Sequence, residues 1–344
     1  MSGTTSGNGG AEQEAGPEAE VHRWLTGLAG RPAVPTVADP VAPTPGELAE
    51  RMDLLDIPGP DREEVSAGLP DPRRAPALWE ALLHCHRQLY ADAAPGADAR
   101  SAMPDWPDAP AALGSSGRYF YVHLYLLALP HALERQRRLG IPDEVVAATF
   151  ADLGAKLTTY RRAHGTGGFD RQRWMVHHFR GVLHRLGRLQ FERGVLDAEA
   201  CGGDAADIGG PAHGCPVLKV HVPGDGPLDR EGCDASFDAA RAFFARRFPV
   251  TPFRHAMCSS WLLDRQLGAY LPREANILAF QRRFTEFGAR PVGDDDVLEF
   301  VFHVPPGTAD LGRLPRATTL QRSLVRHLRS GGHWRTTHGW TFLR

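Results

Sequence analysis

The chain has 344 residues, 42% hydrophobic and 23% charged, with a formal net charge of −2 at pH 7. That describes an ordinary globular protein with enough apolar material for two domains. It excludes a global field that would gather nucleic acid or an anionic membrane, and no run reaches the roughly 18 apolar residues of a membrane span.

Residues Met1 to Glu20 lack a basic start and an apolar signal core, so a cytoplasmic protein is expected. The five cysteines, Cys85, Cys201, Cys215, Cys233 and Cys258, are odd in number and contain no CxxC. Neither a disulfide framework nor a structural metal site is expected from them. Nearly all basic residues are arginine; Lys156 and Lys219 are the only lysines.

Residues 1–43 read as a disordered or extended segment, with a short helix around Val21 to Leu28 and Pro-rich chain after it. Thr44-Pro45-Gly46-Glu47 is a helix start, with Thr44 as N-cap and Glu47 closing a capping box. Ala75 to Ala93 is amphipathic, with Leu78, Leu82, Cys85 and Leu89 on one stripe. Residues 94–116 form a long Pro/Ala/Ser-rich loop. Three long helices follow, at Arg118 to Leu139 with a kink at Pro130, Pro142 to His164, and Asp170 to Arg193. Gly165 to Gly168 is a turn and lacks the Lys-Ser/Thr of a phosphate loop. Residues 44–195 are therefore read as one all-helical domain.

The Gly/Ala-rich stretch 196–216 reads as a linker. From 217 to 344 the pattern mixes strands and helices. Val217 to Val222 is a strand, Gly224 to Pro227 a turn, and Asp229 to Phe248 a helix. Arg254 to Leu263 and Ile277 to Phe284 read as strands around a short helix capped by Asp264. Asp294 to Asp296 reads as a turn before a strand at Val297 to Val304. Thr318 and Gln321 start a last helix by a capping box, and His333 to Leu343 closes the chain as a strand. The fold class is α+β, an all-helical domain followed by a mixed α/β layer.

In that order the chain resembles bacterial two-domain proteins with a helical N-acyltransferase N-terminal domain and a GNAT-like C-terminal domain. The resemblance is carried by Arg118 to Val122, Leu129 to His131, His164 to Gly168, His177 to Gly181, Leu186 to Glu192, Val220 to Pro223, Cys258 to Asp264, Asn276 to Leu278 and Phe280 to Phe284. It implies an acyltransferase that moves an acyl group from a coenzyme A or carrier-protein thioester to an amine or hydroxyl of a small molecule. Acyl-CoA would be the donor, without a metal; an acyl carrier protein is the other donor partner, and neither nucleic acid nor membrane is implied. The chain departs from the family pattern by lacking a recognisable Gln/Arg-x-x-Gly-x-Gly/Ala phosphate loop. A non-catalytic acyl-thioester or small-molecule binding protein is therefore the alternative, and a Cys258-dependent acyl enzyme a third reading.

Acyl transfer needs a held thioester, donors for the developing oxyanion and a base for the acceptor's proton. The strand end with Ser259 and Ser260 supplies hydroxyl groups, and His221, near a strand end before Pro223, is the candidate base. Cys258 sits among apolar neighbours and is expected to be buried and inert. With no standard phosphate loop, Arg180, Arg188, Arg282 and Arg283 are the candidates for holding the donor's phosphates.

Overall fold

The protein is described from a computed structural model covering residues 17–29, 37–91, 103–304 and 310–343. The expectations for the first residues, for 30–36 and for 92–102 fall outside that range. Helix α1 (Pro17–Ala29) buries Trp24 and Leu28. Helix α2 (Pro45–Leu54) starts at the capping box: the Glu47 N–H donates to Thr44 Oγ at 3.3 Å and the Thr44 N–H to the Glu47 carboxylate at 2.8 Å. Helices α3 (Gly59–Gly68), α4 (Pro76–Tyr90) and α5 (Gly114–Arg118) then surround α6 (Phe120–Arg138). Every residue of α6 from Phe120 to Leu129 is buried, as befits a central helix that is apolar all round. Pro130 lies inside it and has no N–H for the carbonyl of Leu126; Arg51 donates to that oxygen instead, at 3.0 Å. Helices α7 (Asp143–Phe150) and α8 (Asp152–His164) break at Ala151, and α9 (Gln172–Phe179) ends the helical half.

The long helix expected from Asp170 to Arg193 is not formed. After α9 the chain turns at Gly181, enters β1 (Leu183–Leu186), reverses at Gly187-Arg188 and returns as β2 (Leu189–Val195). Gly187, with φ +69, sits at the first central position of this two-residue hairpin, where positive φ suits glycine. The last residues assigned to the helical domain thus belong to the sheet.

Strand β3 (Pro216–His221) leads through α10 (Arg230–Arg247) to β4 (His255–Ser260). Further corrections follow. The strand expected at Ile277 to Phe284 is helix α11 (Asn276–Gln281) followed by the short β5 (Thr285–Phe287). The strand expected at Val297 to Val304 is helix α12 (Asp294–Phe302), whose first turn holds Asp294, Asp295 and Asp296, the sign that a helix N-terminus favours. Helix α13 (Thr319–Arg329) begins at the Thr318–Gln321 capping box as expected, and β6 (Thr337–Phe342) closes the sheet.

The six-stranded sheet has the order β1-β2-β3-β4-β6-β5. Only the β3–β4 pair is parallel. One face packs with α10 through Leu218, Val220, Ala256 and Cys258, in a core shared with the helical half through Phe150 and Phe179. The stretch 196–216 is not a loose linker. Leu196, Cys201 and Ala205 bury themselves against Val217, Met257, Phe287 and Trp340 on the other face. Among the described residues no helix is long and apolar enough to cross a membrane.

Candidate active site

The parallel strands β3 and β4 each run six residues, yet their ladder holds only at Leu218↔Ala256 and Lys219↔Met257. Beyond it, Val220–His221 and Cys258–Ser260 are not paired with each other, while β4 stays paired to β6 through Ser260. The sheet is therefore splayed at the C-terminal ends of its only parallel pair. Such a switch point is where open α/β sheets hold ligands.

Alternation puts Lys219 and His221 on the same face as Met257 and Ser259, level with each other across the opening. Helix α9 covers part of that face. Trp174 meets the His221 ring edge to face, 4.8 Å between centroids. The buried carboxylate of Glu192, on β2, joins the groups there. Its Oε2 lies 2.9 Å from His221 Nε2, and its Oε1 lies 3.5 Å from His177 Nδ1 and 3.7 Å from Lys219 Nζ. Burial alone would raise the Glu192 carboxyl, but the His221 hydrogen bond, the neighbouring imidazoles and the Lys219 ammonium bring it down to about 2. Burial lowers His177 to about 4, against the opposing pull of Glu192. Glu192 is thus an anion and His177 neutral near pH 7. His221 keeps 30% of its side chain exposed, so this carboxylate-supported imidazole can reach a substrate.

Trp174 is itself held. Its indole N–H donates to Asp152 Oδ2 at 2.6 Å, and Asp152 also meets His178 Nε2 at 3.1 Å and Lys156 Nζ at 3.4 Å. Burial opposes the Asp152 charge, yet the His178 hydrogen bond keeps this carboxyl well below its usual range. Lys219 and the half-buried Lys156 thus face the two buried carboxylates, Glu192 and Asp152, on either side of the Trp174–His221 contact.

On the far side of the splay, Ser259 is exposed and its Oγ lies 2.8 Å from His338 Nδ1 on β6. Burial lowers the His338 imidazole below its ordinary value. Ser260 Oγ accepts the Leu262 N–H at 3.1 Å and caps the next turn, a structural task. Cys258 is buried on the α10 face, and burial pushes its thiol up to about 12, which leaves it inert.

The four arginines part company. Arg180 donates to the carbonyls of Leu89 and Gln88 at the end of α4, and Arg282 reaches the Arg273 carbonyl at the surface. Arg188 and Arg283 instead bracket the first turn of α10. Arg188 donates to the Pro227 and Gly226 carbonyls at 2.6 and 2.8 Å; Arg283 meets Asp234 at 2.6 Å and the Arg230 carbonyl. The exposed Gly224-Asp225-Gly226-Pro227 turn runs from β3 into that helix, whose Asp229 N-cap accepts the Gly232 N–H at 2.7 Å. Strand, Gly-containing turn and helix N-terminus follow one another here, the order in which helix N-termini take anions, with Asp225 of the turn paired to Arg185, Asp229 as N-cap and Glu231 in the first helical turn.

Reasoning from sequence missed Glu192, His177 and His338. The rarity of lysine was the available signal for the first two, because Lys219 lies opposite Glu192 in the β2–β3 ladder.

Two family models match the chain: an N-acyltransferase N-terminal domain over residues 46–181 and a GNAT-like C-terminal domain over residues 183–341. No curated protein matches. Among solved structures, an acyltransferase in complex with decanoyl-CoA and teicoplanin is 34% identical, with a TM-score of 0.81, covering 95% of this chain and 99% of that one. An acyltransferase with CoA and 10C-teicoplanin is 33% identical at a TM-score of 0.79, again covering 95% and 99%. A tryptophan-to-alanine acyltransferase mutant with octanoyl-CoA has the same identity, TM-score and coverage.

Proposed function

Because the chain belongs to the acyltransferases built from an N-acyltransferase N-terminal domain and a GNAT-like C-terminal domain, we propose that its splayed β3–β4 pair holds an acyl-CoA thioester for transfer to a small molecule. The acceptor group is an amine or hydroxyl. The unpaired strand edges offer backbone N–H and C=O groups to the amides of the pantetheine arm, as an added strand would use them. The donor's phosphates go to the first turn of α10, between Arg188 and Arg283. Arg180 and Arg282, committed to carbonyls elsewhere, take no part.

With the thioester between the strands, His221 takes the proton of the amine or hydroxyl that bonds the acyl carbon; the C–S bond then breaks, and the imidazolium returns the proton to the leaving coenzyme A thiolate. Glu192 orients the ring and stabilises the imidazolium that forms. Trp174 restricts the ring from the helical side. Ser259, supported by His338, offers a hydroxyl hydrogen bond to the reacting thioester from the opposite strand. Ser260 serves the fold. The observation that carries this reading is the partly exposed His221 on a buried Glu192, at the mouth of the splay.

The relatives' complexes with acyl-CoA and with teicoplanin support a free acyl-CoA donor and a small-molecule acceptor. A cytoplasmic location accords with a coenzyme A donor. Calorimetric titration with decanoyl-CoA tests the donor site. Binding weakened roughly ten- to a hundred-fold by Arg188→Ala or Arg283→Ala, but not by Arg282→Ala, supports it. Equal binding by all three variants contradicts the phosphate site.

A further inference from the structure

The end of α10 remote from the splay gathers positive charge. Helix α10 runs 18 residues, so its last turn lies roughly 25 Å from its first turn and from the proposed phosphate site. There Arg247 packs against Gly140, just past the end of α6: a Cβ on Gly140 would come within 2.7 Å of Arg247 Nη1. Arg135, in the last turn of α6, lies against Gly181. The Gly181 carbonyl accepts from Arg193 Nη2 at 2.9 Å, and the Arg193 guanidinium covers the Phe248 ring at 4.0 Å. Phe248 and Phe253 both pack on Phe244, at 5.7 Å between centroids in each case, which brings the chain back along α10 to the exposed Arg254.

Among the described residues no carboxylate pairs with Arg135, Arg193, Arg246, Arg247 or Arg254. Arg137 and Arg138 share Glu134, and each keeps 73% of its side chain exposed. Asp143 and Glu144 open α7 nearby. Counting all three acids, the seven arginines leave a surplus of four positive charges, on a chain whose formal net charge is −2. Burial, and then the neighbouring Arg135, lower Arg193 to about 10, so it is charged at pH 7. A half-buried cation without an internal partner is stabilised by an external anion.

The patch also has an apolar tip. The Thr251 N–H donates to the Phe248 carbonyl at 3.1 Å and closes a turn with Pro249 and Val250 at its centre. Pro249 and Pro252 are exposed, and Val250 is 94% exposed. The two prolines restrict the loop, so holding Val250 outward costs little entropy. Arginines around a protruding aliphatic residue suit a bilayer with anionic headgroups: the guanidiniums meet phosphates and the valine enters the acyl boundary. Nucleic acid would use the arginines and leave Val250 in water.

We propose that this face, from the end of α6 to the Phe248–Arg254 loop, docks the protein on an anionic lipid surface. The contact is peripheral and local, since the chain as a whole carries no attracting field. It leaves the splay free, because β4 begins beside Arg254 and reaches the splay at its other end with Ser260. The proposal does not depend on acyl transfer.

The test is co-sedimentation of the full chain with vesicles of two parts phosphatidylcholine to one part phosphatidylserine, and with phosphatidylcholine alone. Each arginine near an anionic surface strengthens partitioning about fivefold. The expected result is salt-sensitive binding to the anionic vesicles only, weakened about 25-fold by the exposed pair Arg246→Gln/Arg254→Gln and weakened also by Val250→Asp. Arg73→Gln/Arg74→Gln, which removes the same charge from the exposed turn before α4, should bind as wild type does. Absence of binding to anionic vesicles overturns the proposal. So does binding that Val250→Asp leaves unchanged, or that both arginine pairs weaken equally. A DNA duplex is run in parallel: DNA binding abolished by Arg246→Gln/Arg254→Gln, with no vesicle binding, overturns the proposal in favour of nucleic acid.

Discussion

Replacing Glu192 by glutamine removes one charge and almost no volume. Glu192 is 4% exposed, with Oε2 2.9 Å from His221 Nε2 and Oε1 facing His177 and Lys219. A charge-assisted hydrogen bond contributes about 1.5–3 kcal/mol. When His221 takes the acceptor's proton, the amide cannot balance the imidazolium, so that stabilisation is missing where it matters for rate. The expected fall in kcat is roughly ten- to a hundred-fold, with little change in KM for the donor, which binds mainly through other groups. His221→Asn, which removes the base, should cost about 100- to 10,000-fold. Glu192→Gln also leaves Lys219, 8% exposed, without its counter-charge, and breaking a buried ion pair costs about 3–5 kcal/mol of stability. Turnover is therefore followed by release of the coenzyme A thiol, well below the melting temperature of each variant, with folding checked by circular dichroism. A folded Glu192→Gln protein with wild-type kcat refutes the base assignment.

Acid should destabilise the fold early. Burial lowers His86 and His123 to about 4 and His184 to about 3, so each resists protonation in the folded state but accepts it when unfolded. Stability present above about pH 6.5 is then lost as pH falls toward 4, by up to about 2 kcal/mol per histidine at pH 5, and urea titrations that give equal stability at pH 7 and pH 5 would count against this. Native Cys258 should label slowly with thiol reagents, after the half-buried Cys215, and Cys258→Ala should keep its turnover; loss of activity in a folded variant would revive a covalent mechanism. Arg180→Ala should lower Tm through the freed α4 carbonyls and leave donor binding intact, as calorimetry would show. Limited proteolysis should spare 197–216, whose Cys201 and Ala205 are buried; rapid cutting there would favour the linker reading.

Where side chains dictate local geometry, the sequence was readable. Thr44 with Glu47 and Thr318 with Gln321 mark helix starts by chemistry that acts over three residues, and both are found in place. The Asp170 to Arg193 reading failed because Trp174, Phe179, Val182, Leu186 and Leu189 mimic a helical stripe. Gly181 and Gly187 were the contrary signal, one glycine at each reversal. Short apolar runs such as Ile277 to Phe284 and Val297 to Val304 do not separate strand from helix by periodicity, and here the helix prevailed. The site shows the same division. His221 and Ser259 could be placed at strand ends from the chain alone. Glu192, 29 residues from His221, and His338, 79 residues from Ser259, become partners only through strand pairing. Likewise Arg188 and Arg283 stand together only because a hairpin turn and the end of α11 both meet the first turn of α10.

The most direct test of acyl transfer at the β3–β4 splay is product formation from decanoyl-CoA, labelled in its acyl group, and an amine-bearing small molecule, with wild type and a folded His221→Asn variant side by side. The account predicts labelled amide from wild type, equimolar coenzyme A, and a rate at least about 100-fold lower in the variant while decanoyl-CoA still binds both. Labelled product formed equally fast by both proteins, or donor binding without product from any amine or hydroxyl acceptor, would contradict it.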